Sequence, residues 1–304
     1  MTDKVYRGRF APSPTGPLHF GSLIAAVGSA LQARTQGGQW LVRMEDVDQT
    51  RCNVKDADEI LRTLEAYGFE WDGEVVYQSR RSAIYTEVVE QLRRQDQLYV
   101  CSCSRTAIQQ RIEHEGLNPQ VYPGTCRKAR LRDGAQTALR LRVEGDTLGF
   151  IDAIQGPLQQ DLCREVGDFV LRRADGLYAY QLAVVVDDAL QRITEVVRGS
   201  DLLDNTPRQI YLQQLLGYPQ PAYAHLPVAV NAEGQKLSKQ TFAPALGRQR
   251  PETTLLAVCT FLGLPVFREL EQASLSELWQ WAQSHWQLSQ VPRMLKQPEI
   301  ALAR

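Results

Sequence analysis

The sequence lacks any run of apolar residues long enough to cross a membrane, which takes about 18 residues in a helix. It also lacks, at its start, the basic and then apolar segments of a secretory signal. No internal repeat or low-complexity segment is present either. We therefore expect a globular protein of the cytoplasm with no membrane partner.

An excess of charge of one sign is missing too, because 34 lysines and arginines face 35 aspartates and glutamates, for a net charge of −1. This balance provides no global basic field for a nucleic acid, so RNA binding would depend on a local basic patch. The 304 residues can bury one large core or two smaller ones, so length alone predicts about two domains. We expect a monomer.

Proline and glycine are concentrated near the N-terminus in Arg-Phe-Ala-Pro-Ser-Pro-Thr-Gly-Pro-Leu-His-Phe-Gly-Ser, residues 9–22. The following segment, Leu23 to Arg34, is rich in apolar residues at helical spacing, so we predict a strand-to-helix loop with the helix beginning near His19. The N-terminus of that helix directs unpaired N–H groups and a positive dipole end at the loop, where they attract an anion such as a nucleotide phosphate. The alternative is a rigid proline-rich turn without a chemical role.

Three acids follow at the end of the next apolar segment, Gln-Trp-Leu-Val-Arg-Met-Glu-Asp-Val-Asp, residues 39–48. This segment is predicted to begin as a strand, and ligand groups collect at the ends of strands in open α/β sheets. Glu45 and its acidic neighbours are therefore candidates to receive an ammonium group or a ribose hydroxyl. The alternative is a solvated acidic turn.

A second candidate phosphate site is the pair Lys236 and Lys239 in the segment Gln-Lys-Leu-Ser-Lys-Gln, which follows Gly234. Two lysines with this spacing on a loop can close over a triphosphate. Taken alone the pattern is weak, because solvated surface lysines often have the same spacing.

Three of the six cysteines lie close together in the sequence, at Cys101, Cys103 and Cys126. In a reducing compartment such clustering favours a metal site over disulfides, and three thiolates suit tetrahedral Zn²⁺. Residue chemistry points to His114 as the fourth ligand, because imidazole is a common zinc ligand and a phenol is a rare one. The zinc would be structural and would hold together a small insertion with little core of its own. The alternative is three ordinary free thiols.

The apolar run Leu182 to Val186 predicts a central strand of a parallel sheet that is covered on both faces. We therefore expect a divided nucleotide-binding domain, with its first half at 1–99, an insertion at 100–178 and its second half at 179–240. The last part, 241–304, is predicted to be helical, because apolar residues recur there at helical spacing and no strand pattern is evident.

Two groups of residues allow either a structural role or contact with RNA. Arg140 and Arg142 alternate with apolar residues along a short predicted strand, where we favour a solvated face over an RNA-binding one. Trp279, Trp281 and Trp286 either stack on nucleotide bases or pack a helical tail on the catalytic sheet, and we favour packing because the cluster is not basic.

Two of these motifs resemble the signatures of class I aminoacyl-tRNA synthetases. The His-Phe-Gly-Ser of residues 19–22 is similar to the first signature, His-Ile-Gly-His, with Ser22 in place of the second histidine. The Lys-Leu-Ser-Lys-Gln of residues 236–240 resembles the second signature, Lys-Met-Ser-Lys-Ser, with Gln240 in place of the last serine. The two motifs occur in the order that the family has.

The glutamyl branch of that family is similar to nearly the whole chain, most specifically in the two signatures and over residues 168–227. The resemblance implies a Rossmann-like parallel α/β sheet, split by a small zinc-containing α+β insertion and followed by a helical C-terminal part. It implies that Tyr122, four residues before Cys126, completes the zinc site; we follow this implication and keep His114 as the alternative. It also implies Mg²⁺ bound together with ATP. The implied glutamate-binding residues are Arg9, Ala11, Ser13, Glu45, Tyr180 and Arg198, the implied ATP-binding residues are His19, Gly21, Ser22 and Lys239, and the implied catalytic residues are His19, Lys236 and Lys239.

Three features look like the small glutamyl-queuosine synthetases: the His-Phe-Gly-Ser motif, the insertion with Cys-x-Cys and Tyr-x3-Cys, and the end of the sequence before the helical anticodon-binding region of ordinary glutamyl-tRNA synthetases. This resemblance implies a ligase that activates L-glutamate with ATP and does not need tRNA for that step. The glutamate would then pass to queuosine in the anticodon of tRNA(Asp).

Three alternatives remain at this point. A truncated glutamyl-tRNA synthetase would place glutamate on the 3′ end of its tRNA. A non-catalytic tRNA-binding paralogue is compatible with Ser22 and Gln240. A small-molecule nucleotidylyltransferase has a similar first loop but gives no reason for Glu45, Tyr180 and Arg198.

Overall fold

The structure, a computed structural model, describes residues 5–119, 121–145, 147–231, 233–237 and 244–299. Its α-helices are α1 Phe20–Thr35, α2 Val54–Ala66, α3 Ser82–Arg94, α4 Arg105–Glu115, α5 Leu162–Glu165, α6 Tyr180–Leu190, α7 Thr206–Leu216, α8 Pro251–Phe261 and α9 Leu275–His285. Its strands are β1 Arg7–Phe10, β2 Gln39–Met44, β3 Val76–Tyr77, β4 Leu98–Cys101, β5 Ala138–Leu141, β6 Leu148–Asp152, β7 Gly156–Gln160, β8 Val170–Arg172, β9 Glu195–Gly199, β10 Ala222–Leu226, β11 Val228–Val230 and β12 Lys296–Pro298.

Two of the sheets in the described chain meet edge to edge and form the centre of the fold. The first has the parallel order β1-β2-β3, and the second has the order β7-β6-β10-β9, in which only β7 is antiparallel to its neighbour. They meet where the backbone N–H of Thr194, just before β9, donates to the carbonyl oxygen of Arg7 in β1 at 2.9 Å. From this junction, successive strands are added outward from β1 in one direction and outward from β9 in the other. Open α/β sheets bind ligands at such a switch point, where the direction of strand addition reverses. The predicted α/β architecture around a parallel sheet is confirmed.

Helix α1 packs against these sheets and begins beside His19, as predicted. Its residues Leu23 and Leu31 are fully buried in the main apolar core. Gly28 allows the helix to approach β10 closely, because a Cβ at this position would lie 2.6 Å from Cδ1 of Leu226. This packing anchors α1 so that its N-terminus reaches the switch point.

The run Leu182 to Val186 lies in helix α6, so the predicted central strand is wrong. Each of its residues is at most 1% exposed, because α6 shares an apolar core with α3, α7 and the antiparallel sheet β4-β5-β8. A helix that is enclosed on several sides needs no polar face over this stretch. Its sequence therefore resembles that of a buried strand.

The strands between residues 100 and 178 divide between two sheets. β5 lies between β4 and β8 in the antiparallel sheet, whereas β6 pairs with β7 and, through β10, joins the second central sheet. Residues 148–160 are therefore hydrogen-bonded to the sheet of the predicted second half. The domain boundaries themselves stay predictions.

Arg140 in β5 and Arg142 just after it are half-buried, and each lies over an aromatic ring. The guanidinium carbon of Arg140 lies 3.6 Å from the centre of the Tyr122 ring, and that of Arg142 lies 5.0 Å from the centre of the Tyr99 ring. Arg140 Nη1 also donates to the carbonyl oxygen of Asp168 at 2.9 Å. These contacts of the two arginines stabilise the region around the cysteine cluster.

The C-terminal part is helical as predicted, with α8 and α9 packed into the main core. Trp281 and Trp286 are buried, and Trp279 Nε1 donates to the carbonyl oxygen of Tyr67 at 2.8 Å, which confirms the packing interpretation of the tryptophans. The expectation of no strand was wrong, because the short strand β12 pairs in parallel with β11. None of the helices in the described part of the chain has the length and apolar character that a membrane span requires.

Candidate active site

A cavity of about 630 Å³ opens at the carboxyl ends of β1 and β9, where the two central sheets meet. The N-terminus of α1, the end of β2 and the start of α6 complete its walls. Lys239 lies outside the described residues. The structure brings together all the other residues predicted for glutamate and ATP, although their roles stay predictions. The predicted residues that line the cavity are Arg9, Ala11, Ser13, His19, Gly21, Ser22, Glu45, Tyr180, Arg198 and Lys236.

His19 caps the N-terminus of α1 at the edge of this cavity. Its backbone is extended, and its Nδ1 accepts a hydrogen bond from the backbone N–H of Ser22 at 3.2 Å. A neutral histidine that accepts at Nδ1 carries its proton on Nε2, from which the ring can donate. A Cβ on Gly21 would lie 3.2 Å from the His19 ring and 3.3 Å from the carbonyl oxygen of Leu237. Glycine at this position avoids these two close contacts.

Buried charges connect Arg9 to β2 and α6. Arg9 Nε donates to Asp188 Oδ1 at 3.2 Å, and Arg43 Nη1 donates to the same oxygen at 2.8 Å. Burial acts to raise the pKa of Asp188, but Arg9 and Arg43 outweigh burial and hold this pKa below its usual range. Asp188 is thus an ionised anchor between two guanidinium groups.

Glu45 follows β2 and is tied both to this network and to the first loop. Its Oε1 accepts from Arg43 Nη2 at 3.1 Å, and its backbone N–H donates to the carbonyl oxygen of Pro12 at 2.9 Å. Burial raises the pKa of Glu45 more than Arg43 and Arg9 lower it. The carboxylate is poorly solvated, so a cationic ligand in the cavity would stabilise its ionised form.

Arg198 in β9 and Tyr180 at the start of α6 also line the cavity. Arg198 is 4% exposed, and its Nη1 donates to the Tyr180 hydroxyl at 3.3 Å. Its Nη2 donates to Thr206 Oγ1 at 2.9 Å and to the carbonyl oxygen of Leu202 at 3.4 Å. Burial raises the pKa of Tyr180 more than Arg198 lowers it. The phenol therefore stays protonated and can donate a hydrogen bond to a ligand.

Lys236 lies at the more open side of the cavity. Its Nζ is 2.6 Å from Asp201 Oδ2, and the two side chains are 42% and 31% exposed. Asp201 also lines the cavity. Lys236 thus adds a partly exposed cation to a cavity that is also lined by the buried guanidinium groups of Arg9 and Arg198.

The three thiols predicted to bind zinc lie together in the structure. The Sγ atoms of Cys101, Cys103 and Cys126 all lie within 4.8 Å of one another. The Tyr122 hydroxyl lies 3.3 Å from Cys101 Sγ and 3.6 Å from Cys103 Sγ. His114 is exposed on α4 and does not belong to this group.

These four side chains fit a tetrahedral metal site. Zinc–sulfur bonds of about 2.3 Å place the ligand atoms of a tetrahedron roughly 3.8 Å apart, and Cys103 Sγ and Cys126 Sγ are 3.4 Å apart. Burial acts to raise the pKa of Cys126, but the backbone N–H of Ser102 and the neighbouring thiols and phenol outweigh burial and lower it to about 7. The thiolate of Cys126 is therefore accessible near neutral pH, whereas burial raises the pKa of Cys103.

Sequence reasoning missed the buried residues that support the cavity from behind. Arg43 and Asp188 bridge its charged side chains, and Asp152 and His225 lie behind Arg198. One signal was available, because two adjacent acids at the end of an apolar run, Asp187 and Asp188, are costly to bury without partners. No motif marks the other residues.

Comparisons with known proteins identify the family of this chain. The family described as tRNA synthetases class I (E and Q), catalytic domain, matches residues 5–286. A Glutamyl-Q tRNA(Asp) synthetase of Dechloromonas aromatica is 56% identical over 95% of this chain and 96% of its own length. One of Thiobacillus denitrificans is 54% identical over 94% of each chain. A crystal structure of a glutamate tRNA ligase from Elizabethkingia meningosepticum, in complex with its amino acid, matches with a TM-score of 0.81 and 25% identity over 96% of this chain and 66% of that one. The chain therefore belongs to the class I tRNA synthetases for glutamate and glutamine, a family of ligases, and within it to the Glutamyl-Q tRNA(Asp) synthetases.

Proposed function

We propose that this chain activates L-glutamate with ATP, without requiring tRNA, and transfers the glutamate to queuosine in the anticodon of tRNA(Asp). The observation that carries the proposal is the convergence of two buried guanidinium groups, Arg9 and Arg198, with the Glu45 carboxylate around one cavity. This arrangement complements an amino acid with two carboxylates and one ammonium group. The names of the relatives support the same amino acid and the same tRNA.

The charges around the cavity favour glutamate over glutamine. Among the side chains that line the cavity, Arg9 and Arg198 contribute two buried guanidinium groups and Glu45 contributes one carboxylate, while Asp201 is paired with Lys236. Glutamate, with its net negative charge, would neutralise this excess. Glutamine would leave a buried guanidinium without a partner, which is costly.

In the first step, an oxygen of the glutamate α-carboxylate attacks the α-phosphorus of ATP, and the bond to the bridging oxygen breaks to release pyrophosphate. Both reactants are anions, so the step depends on cations and dipoles that are already in place. His19 and the N-terminus of α1 face the phosphates, while Lys236 and Lys239 stabilise the charge on pyrophosphate. Class I synthetases use ATP together with Mg²⁺, which neutralises part of the phosphate charge. No protein nucleophile is needed, because the activated acyl group is held on AMP.

In the second step, a hydroxyl of the queuosine cyclopentene diol attacks the activated carbonyl carbon. The bond between that carbon and the AMP oxygen breaks, AMP leaves, and the product is an ester. The acceptor is supported by the names of the relatives, each of which refers to a Glutamyl-Q tRNA(Asp).

A structural Zn²⁺ is part of the proposal and would be held by Cys101, Cys103, Tyr122 and Cys126. The distances among the thiols and the phenol support this ligand set. The ion would join the end of β4 to the loop before β5. This region belongs to the proposed insertion at 100–178, which separates the two halves of the catalytic domain at 1–99 and 179–240. The helical part at 241–304 follows the second half.

Exchange between ATP and labelled pyrophosphate, measured without tRNA, tests the activation step. The wild-type protein should exchange with glutamate and far less with glutamine or aspartate. Lys236→Ala should lower the exchange rate by roughly a hundredfold, whereas Lys128→Ala, which removes an exposed lysine that does not line the cavity, should leave it unchanged. Absence of glutamate-dependent exchange in the wild type would contradict the proposal.

A further inference from the structure

A chain of buried polar side chains lies behind Arg198, outside the lining of the cavity. Arg198 Nε donates to His225 Nε2 at 3.0 Å, and His225 Nδ1 lies 2.5 Å from Asp152 Oδ2. His225 and Asp152 are 0% and 1% exposed. Asp152 Oδ1 accepts backbone N–H groups of Ile154, Gln155 and His225 at 3.0, 2.9 and 3.1 Å, so the carboxylate is fixed by the turn after β6 and by β10.

The proton positions in this chain follow from the guanidinium group. Arginine has no acceptor and stays protonated, so Arg198 Nε–H must donate and His225 Nε2 must accept. The Thr206 hydroxyl lies 3.2 Å from the same nitrogen, and in this tautomer it is the hydroxyl that donates. A neutral imidazole that accepts at Nε2 has its proton on Nδ1, from which it donates to Asp152 Oδ2.

The pKa shifts agree with this assignment. Burial lowers the pKa of His225, and Arg198 and Arg9 lower it further against the opposing effect of Asp152. Burial acts to raise the pKa of Asp152, but hydrogen bonds from His225 and the Gln155 backbone outweigh burial and lower it. The pair is therefore a neutral imidazole beside an ionised carboxylate.

The remaining donors of Arg198 are largely committed as well. Its Nη2 donates to Thr206 and to the carbonyl oxygen of Leu202, and its Nη1 donates to Tyr180. Among the described residues, four of the five guanidinium N–H groups thus have partners, which leaves one on Nη1 for a ligand in the cavity that Arg198 lines.

We propose that Asp152 and His225 are positioning residues for the amino-acid substrate: Asp152 fixes the Nδ1–H tautomer of His225, and His225 holds Arg198 so that Nη1 meets a carboxylate of glutamate. The inference rests on the proposed function, since glutamate binding by Arg198 is part of it. Neither residue lines the cavity, so both act through Arg198.

Asp152→Asn tests the tautomer with little change in shape. Asparagine Oδ1 can still accept the backbone N–H groups, but its Nδ2 would donate to His225 Nδ1 and place the histidine proton on Nε2. That proton could still be donated to Thr206 Oγ1, but Nε2 could no longer accept from the Nε–H of Arg198, and these two donors would repel. We expect the KM for glutamate in pyrophosphate exchange to rise by roughly tenfold to a hundredfold, with a smaller change in kcat and in the KM for ATP.

Substitutions of His225 separate positioning from packing. Glutamine is long enough to place Oε1 near the position of Nε2 and accept from Arg198, whereas asparagine is too short. His225→Gln should therefore keep a lower KM for glutamate than His225→Asn.

Asp168→Asn is a matched control, because Asp168 is another buried carboxylate with several hydrogen bonds but does not line the cavity or contact Arg198.

The ¹⁵N NMR spectrum of the histidine rings reports the tautomer independently of activity. The signals of His225, identified by their loss in His225→Gln, should show Nδ1–H in the wild type and Nε2–H in Asp152→Asn. An Nε2–H tautomer in the wild type, or an unchanged glutamate KM in folded Asp152→Asn, would overturn the inference and leave the proposed function standing. Absence of exchange by the wild type would overturn both.

Discussion

At the scale of single residues, Glu45 offers a test that combines charge and pH. Its side chain is 8% exposed, and burial raises its pKa. Only the ionised carboxylate would pair with the ammonium group of glutamate. We predict that Glu45→Gln raises the KM for glutamate in pyrophosphate exchange by roughly tenfold to a hundredfold at neutral pH, while the KM for ATP changes little.

The pH dependence of this effect has a definite sign. As the pH falls through the raised pKa of Glu45, the wild-type side chain becomes a neutral acid that resembles glutamine. The glutamate KM of Glu45→Gln divided by that of the wild type should therefore fall towards one as the pH is lowered. Glu113→Gln, at an exposed position on α4, should show no such convergence, and a constant ratio for Glu45→Gln across pH would remove Glu45 from the ammonium site.

Single-residue prediction from the sequence depended on motifs. Arg9 and Arg198 were identified because they stand at positions that resemble the glutamyl branch, whereas Glu45 was also a candidate as an acid at the end of a predicted strand. The structure places all three around one cavity. His225 and Asp152 carry no motif. Their contacts with Arg198 and with each other join β9, β10 and β6, which are distant in sequence.

At the scale of elements, the N-terminus of α1 combines a structural and a chemical role in His19. Its Nδ1 caps the helix through the Ser22 N–H, and its ring lines the cavity. We predict that His19→Asn preserves the cap and the free energy of unfolding but loses most pyrophosphate exchange. His19→Ala should lose the cap as well, at a further cost of about 1 kcal/mol.

Urea unfolding together with the exchange assay separates these two roles. Equal stability of the two variants would show that the imidazole does not act as the cap. Full exchange activity in His19→Asn would remove the ring from the reaction.

Helix α6 shows where prediction of elements reaches its limit. Its apolar run, rich in valine, matched a buried strand, and periodicity does not separate a buried strand from a helix that is enclosed on several sides. By contrast, α2 and α3 each have one apolar and one solvated face, so apolar residues recur in them at helical spacing. The outcome depended on whether the element has a solvent-facing side.

At the scale of the whole molecule, the proposed zinc site tests how the region around β4 and β5 is held together. We predict one zinc per chain in the purified protein. Tyr122→Phe should keep the aromatic ring that contacts Arg140 but lose the fourth ligand. The chelator concentration that removes zinc from this variant should therefore be roughly tenfold to a hundredfold lower than for the wild type.

Metal content by mass spectrometry and the melting temperature provide the measurements for this prediction. Cys126→Ser should lose zinc and lower the melting temperature, whereas Cys163→Ser, at an exposed position outside the cluster, should do neither. Loss of zinc in His114→Ala but not in Tyr122→Phe would reassign the fourth ligand to His114.

The large-scale architecture was predictable in part. A ligand site after the first strand followed from the loop and the helix that follows it. The parallel α/β sheet followed from the family resemblance, since the apolar run predicted as its central strand lies in α6. The pairing of β6 with β10 did not, because strands distant in sequence reveal their partners only through long-range contacts. The division of the chain into 1–99, 100–178, 179–240 and 241–304 therefore stays a proposal.

The most direct test of the account is where the glutamate is placed. The protein would be incubated with ATP, labelled glutamate and tRNA(Asp) that contains queuosine, with queuosine-free tRNA(Asp) as the matched control, and the label would be mapped on nuclease fragments by mass spectrometry. The account predicts label on the queuosine of the anticodon fragment and none in the control. Label at the 3′ end, or equal labelling of both tRNAs, would contradict it.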